Sequence, residues 1–283
     1  MEKNYIDKPE SPYSVHYRSE RFFKEPTDFK CHKHLEIYIL HTGSASTLIE
    51  DEIYSLESDS LVVIKPFELH KTNTDTGNKI IRSNLYINMD FLLEKLGASD
   101  IVQLVNPFCS SDFASIGKVY LAHEVIEEID HLFKTMAEEI KNPDSSLYIC
   151  LCICKILYLI RRQLTKKEIP SAYLVESNPI RQVIHYINQN LHGNLNVNNI
   201  RKELNYSKYY LCHIFKKYMN CTITEYIQNR KISLAKKYLA GMDESITNIS
   251  NMLGYSSQTY FSTVFKNITG MTPNDYKKHI SNR

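Results

Sequence analysis

Two stretches in the last hundred residues carry hydrogen-bonding side chains at helical spacing. Tyr209, Cys212, His213 and Lys216 fall on one face of a helix, and Thr259, Ser262, Thr263 and Lys266 fall on the matching face of another. Hydroxyls, a thiol and an imidazole of this size can approach the edges of base pairs, and a lysine closing each face suits a phosphate. The opposite faces are apolar: Leu211, Ile214, Phe215 and Tyr218 in the first helix, Phe261, Val264, Phe265 and Ile268 in the second. A merely solvated surface accounts for either polar face alone. Two faces with one layout point to nucleic acid.

The seven cysteines are an odd number with no C-x2-C pair, which favours reduced thiols in a cytoplasmic protein over disulfides or a zinc cluster. Cys150, Cys152 and Cys154 sit in the apolar run Leu147–Ile160, where only Cys150 and Cys154 share a helix face. Buried inert thiols are the preferred reading and a redox switch the alternative. That run is too short for a bilayer and contains Lys155, so a buried helix is expected and no membrane contact. The N-terminus holds no apolar run of signal-peptide type.

The elements that must carry these residues follow from pattern. The net charge of +2 conceals a split: Asn178 to Arg283 holds 14 Lys and Arg against 5 Asp and Glu, and the rest holds 20 against 27. One half is thus suited to a polyanion and the other is not. Up to about Met89 the chain reads as short strands (EIYILHTG, STLIE, SLVVIKP, KIIRSNLYI). From about Val119 to Leu164 it reads as two helices, the first striped by Leu121, Val125, Ile129, Leu132, Met136 and Ile140. A stretch containing Pro170 and Pro179 reads as a linker, and Asn178 before Pro179 as a helix start.

The basic half contains an internal repeat. Val197–Tyr226 matches Ile246–Tyr276, first at an offset of 49 (Val197, Ile200, Leu204, Tyr206, Ser207) and then of 50 (Tyr210 to Tyr226). Each copy predicts a short helix, a tight turn at Asn205 or Gly254, and a longer helix capped by Ser207 or Ser256, that is, a helix-turn-helix. A continuous helix over Glu225–Ala240, about 24 Å long at 1.5 Å per residue, joins the copies and could set the recognition helices near one DNA turn apart.

These residues resemble the AraC/XylS family of bacterial transcription regulators, most specifically through ITNISNMLGYSSQTYFSTVFKNITGMTPNDYKK. The resemblance covers about Pro179 to His279. It implies base contacts from Tyr209, Cys212 and His213 with Lys208 beside them, and from Gln258, Thr259, Ser262 and Thr263. Lys216 and Lys266 are expected at phosphates. Asn205 replaces the usual glycine, and the outer positions lack arginine, so the family's target sequences do not transfer.

The segments FKCHKHLEIYILHTG and LVVIKPFELHKT are similar to the cupin-type barrel that many members carry. Aligning on Glu36 and Gly43 places His32 and His70 on cupin histidines, Lys30 where a further histidine would fall, and Asp59 where a turn glycine is common. His34 and His41 are read as surface or strand-packing residues. The resemblance makes His32, Glu36 and His70 candidate effector contacts. An organic effector is the preferred occupant, with a divalent metal or a ligand-free barrel as alternatives; no cofactor and no metal are expected. The expected architecture is α+β in two domains: a sensing domain over 1–118, a helical pair over 119–170 forming a homodimer, and an all-α DNA-binding domain over 171–283 with helix-turn-helix units at about 197–218 and 246–268. The expected partners are double-stranded promoter DNA, a second copy, a small-molecule effector and, if the protein is an activator, RNA polymerase. The expected function is that of a regulator and not of an enzyme; the competing class is a cupin metalloenzyme with a helical appendage, which leaves the repeat unexplained.

Overall fold

Alternation along the strands explains why the N-terminal half is covered on both faces. In β2 (Leu35–Thr42), Leu35, Ile37 and Ile39 join one buried cluster, while Tyr38 and Leu40 join another on the opposite face. In this computed structural model, residues 12–22, 29–74, 79–97, 99–109, 115–164, 179–193, 195–219 and 221–281 are described. They fall into two compact units, one ending at Leu164 and the other starting at Pro179. Asn178, the linker around Pro170 and both of its boundaries lie outside the described residues.

The first unit has an antiparallel five-stranded sheet ordered β1 (Tyr13–Phe22), β7 (Lys79–Ile87), β2, β5 (Ser60–Ile64) and β8 (Gly117–Val119). A three-stranded sheet ordered β4 (Glu52–Leu56), β3 (Ala45–Ile49) and β6 (His70–Asn73) faces it. Tyr38, Leu40, Ile49, Leu56, Val62, Ile64 and Ile80 fill the space between the sheets. Asp59 stands in the left-handed region at φ 66°, the conformation for which a glycine is common at that turn.

Helices cover the other face of the larger sheet. Two of them, α1 (Met89–Leu96) and α2 (Ser99–Cys109), add to the expected pair. The Asn88 side chain caps α1 and left-handed Gly97 ends it, signals already present in NMDFLLEKLG. The expected pair is α3 (His123–Glu139) and α4 (Ser146–Leu164). Here one expectation is corrected: Leu132 and Met136, read as part of a dimer stripe with packing against the barrel as the alternative, are 9% and 0% exposed and belong to the core that α3 builds with the sheet and α4. An apolar stripe says that a face is buried, not which neighbour buries it.

The second unit is all helix: α5 (Pro179–Gln189), α6 (Val197–Glu203), α7 (Lys208–Met219), α8 (Ile223–Gly241), α9 (Ile246–Met252), α10 (Gln258–Thr269) and α11 (Pro273–Ser281). The α6–α7 and α9–α10 pairs are the two helix-turn-helix units. Leu211 and Phe215 are buried in the first, Phe261, Val264 and Phe265 in the second, and Ile214 and Ile268 are half-buried. Ser207 Oγ accepts from the Tyr210 amide at 3.2 Å, as expected. In the second copy the cap is Ser257, not Ser256, accepting from the Tyr260 amide at 3.2 Å. The extra residue of the repeat therefore precedes the cap instead of following it.

The joining helix α8 opens on a capping box formed by Thr222 and Glu225. Its middle is buried nearly all round, including Arg230, Lys231 and Lys236. Arg230 Nε donates to Asn188 Oδ1 at 2.7 Å, and Lys231 Nζ donates to the Gly193 carbonyl at 3.0 Å while lying over the Tyr255 ring. Lys236 lies over the Tyr276 ring. These contacts tie the segment preceding the first helix-turn-helix to the second one through a shared axis.

Candidate functional site

The polar faces of α7 and α10 point away from the cores just described. On α7, Lys208, Tyr209, His213 and Lys216 are exposed and Cys212 is half-buried. Tyr209 is 83% exposed and stacks on His213, ring centroids 6.1 Å apart and planes within 8°. An exposed aromatic pair held flat at the start of a recognition helix offers both a stacking surface and a ring nitrogen. On α10, Gln258, Thr259, Thr263 and Lys266 are exposed and Ser262 is half-buried. Gln258 is held by Thr247, whose hydroxyl donates to Gln258 Oε1 at 2.6 Å. Thr263 donates its hydroxyl to the Thr259 carbonyl at 3.0 Å and keeps acceptor capacity. Sequence reasoning missed Thr247, because a bond between the two helices of one unit leaves no periodic signal.

A second polar cluster lies inside the first unit. Glu36 sits between Leu35 and Ile37 on β2, so parity turns it toward the space between the sheets. His32, on the segment before β2, and His70, at the start of β6, reach the same place. Their Nε2 atoms are 3.1 and 3.3 Å from Glu36 Oε2. The His32 Nδ1 donates to the His34 carbonyl at 3.0 Å, and the His70 Nδ1 to the Glu68 carbonyl at 2.9 Å. Glu36 Oε1 accepts from Asn84 Nδ2 at 2.6 Å and from the Tyr86 hydroxyl at 3.1 Å. All three candidates named from the sequence are therefore brought together, at 8%, 3% and 3% exposure.

Burial opposes ionisation of Glu36, but contact with His32 and His70 outweighs it and holds the carboxyl well below the usual carboxylate range. Burial pushes His70 down and, with the Glu36 charge, pushes the Tyr86 hydroxyl up. Asn84 and Tyr86 were not anticipated, although an alternating polar pair on β7, opposite Tyr38 and Glu36 in register, is the mark of a shared inner face. Lys30 pairs with His70 along the backbone. His34 is buried, and His41 packs within the strands against Ser83 Oγ at 2.7 Å.

A sheet-rich domain with a buried polar cluster, joined to paired helix-turn-helix units, defines the class of ligand-binding DNA-binding regulators. Residues 12–148 match the family model described as an AraC-like ligand binding domain, and residues 200–279 match a helix-turn-helix domain model. The chain is 35% identical to the regulatory protein SoxS of Salmonella typhimurium over 101 residues, 36% of this chain and 94% of that protein. It is 24% identical to the HTH-type transcriptional activator RhaR of Mannheimia succiniciproducens over 279 residues, 98% of this chain and 95% of that one. It is 37% identical to the Msm operon regulatory protein of Streptococcus mutans over 121 residues, 41% of this chain and 44% of that protein. The chain belongs to the AraC family of transcription regulators. Its relatives are regulators and not metalloenzymes, which sets aside the competing class. Among the described residues no helix is long and apolar enough to cross a membrane.

Proposed function

We propose that this regulator reads promoter DNA with both recognition helices of one chain, and that a ligand held near His32, Glu36 and His70 biases that binding. The observation that carries the DNA reading is the repeated layout of α7 and α10: two apolar faces built into cores, two polar faces exposed, each closed by a lysine. Lys216 and Lys266 contact phosphates. Tyr209, His213, Gln258, Thr259 and Thr263 read bases, with Cys212 and Ser262 at the edges of the contact and Lys208 at its start. The work is done where the DNA is, in the cytoplasm, and an activating role would bring RNA polymerase to the same promoter. Selection of bound duplexes from a randomised library by the full chain tests this. The expected result is a site with two preferred clusters about one helical turn apart. A single cluster, or none, overturns the two-helix reading.

Within the helical pair expected to form the homodimer, the pairing surface is a stripe of α4 and not the stripe of α3. Leu147, Leu151 and Tyr158 lie within one narrow stripe of α4 and are 54%, 55% and 51% exposed. Lys155 borders the stripe and pairs with Glu128 of α3. A second copy related by a two-fold axis covers such a stripe with its own. Sedimentation of the wild type should give a dimer at micromolar concentration and Leu151→Glu a folded monomer; a monomeric wild type overturns the pairing.

A further inference from the structure

We infer that the first recognition helix, α7, reads thymine through its 5-methyl group, with Tyr209 as the specificity-determining residue. This role holds only if α7 enters the groove as proposed above, and it adds the chemical group that is recognised there.

The two polar faces share a layout but not a chemistry. Aligned on the caps Ser207 and Ser257, Lys208, Tyr209, Cys212 and His213 stand where α10 has Gln258, Thr259, Ser262 and Thr263. Each of the four α10 side chains carries both a donor and an acceptor. On α7 the lysine only donates, and a free thiol behaves as a small hydrophobe. What stands out furthest is a ring. Tyr209 is 83% exposed, more than any other large hydrophobic side chain among the described residues. It is the second residue of α7, and the N-terminal residues of a recognition helix are the ones that meet base edges.

The ring is also held in place. Tyr209 and His213 lie one helical turn apart and stack with planes within 8° and centroids 6.1 Å apart. Tyrosine turns about only two side-chain bonds, so a neighbour that fixes one face of its ring leaves little to order on binding. The matching end of α10 holds a different group, an amide, since Gln258 Oε1 accepts from Thr247 at 2.6 Å. One helix thus presents a fixed ring and the other a fixed amide. In the major groove the apolar group on a base edge is the thymine 5-methyl. A phosphate contact would use the Tyr209 hydroxyl and leave the ring in water, whereas a methyl contact covers the ring itself.

The test uses the full chain and its selected duplex, with deoxyuridine put in place of thymine one position at a time. Uracil keeps the hydrogen-bonding edge of thymine and lacks the methyl. The half of the site belonging to α7 is the one in which His213→Ala relaxes preference. At one thymine or more in that half, the exchange should weaken binding about 3–5-fold, the worth of one buried methyl. Tyr209→Phe keeps the ring and should keep this difference. Tyr209→Ala should bind the thymine and uracil duplexes alike, while any response to uracil in the other half stays as in the wild type. The side chain lies outside the core, so both variants should retain the wild-type helical spectrum and thermal midpoint. Uracil tolerated at every position of the α7 half, or a difference that persists in Tyr209→Ala, overturns the methyl contact and leaves the two-helix reading standing. A wild-type chain that selects no duplex overturns that reading, and the methyl contact with it.

Discussion

Asn205 in the first helix-turn-helix and Gly254 in the second stand at equivalent turns, with φ of 55° and 66°. Both backbones are left-handed, a conformation that Asn tolerates through its short polar side chain and Gly adopts freely. The surroundings differ. Asn205 is exposed, whereas a Cβ at Gly254 would meet the Gly193 carbonyl oxygen at 2.6 Å and its carbon at 2.9 Å. Those are backbone atoms and cannot swing aside. The first copy needs a residue that bends; the second needs one that bends and has no side chain. A repeat therefore transmits backbone conformation between its copies, while the residue allowed at each turn is decided by what the fold lays against it.

The largest expected effect comes from making the copies alike in the wrong direction. Gly254→Asn keeps a turn former but adds the Cβ, and should cost the second unit about 2–3 kcal/mol, read from the shift in its denaturant midpoint. A loss under about 1 kcal/mol would mean that Gly193 yields and that the two turns are equivalent after all. Next are the proposed base contacts, one from each copy. His213→Ala and Gln258→Ala should each relax preference in a different half of the selected site, by about 1–3 kcal/mol for a good contact. Lys216→Ala and Lys266→Ala should instead weaken every sequence alike and reduce the salt slope by about one each. Overlapping positional effects for His213 and Gln258 would place both copies on one half-site.

A smaller effect separates the two ways of aligning the repeat. Ser207→Ala and Ser257→Ala should each lose about 1 kcal/mol as helix caps, while Ser256→Ala should lose almost nothing. Equal losses at Ser256 and Ser257 would return the extra residue to the far side of the cap. The smallest change expected is Asn205→Gly, within about 0.5 kcal/mol in either direction, because relief of the left-handed strain is offset by a more flexible unfolded chain. A loss well beyond that would reveal a side-chain role for Asn205 that its exposure does not suggest.

The helix-turn-helix units were legible because their determinants are local. Spacing named Leu211, Phe215, Phe261 and Phe265 as core, and the turn residues named themselves. The buried triad was legible only through the resemblance, since His32 and His70 lie 38 positions apart in the chain and only strand pairing joins them. What was not legible depends on partners. The α3 stripe was assigned to a second chain because periodicity cannot tell an intramolecular neighbour from an intermolecular one. The orientation of His32 and His70 needed the carbonyls of His34 and Glu68, which carry no sequence signal at all.

The buried middle of α8 has a consequence for how such a protein can change. Adding one residue to a helix turns everything beyond it by about 100° and advances it by about 1.5 Å. In α8 that rotation would carry the second recognition helix round to another side of the duplex. It would also pull Lys231 from the Gly193 carbonyl or from the Tyr255 ring, since both are gripped from one position. Insertions here cannot be absorbed gradually, as they can in an exposed loop. On the proposed DNA reading, new targets are reachable by exchanging outward residues such as His213, Gln258 or Thr263 one at a time, whereas the distance between the two halves of a target is inherited unchanged.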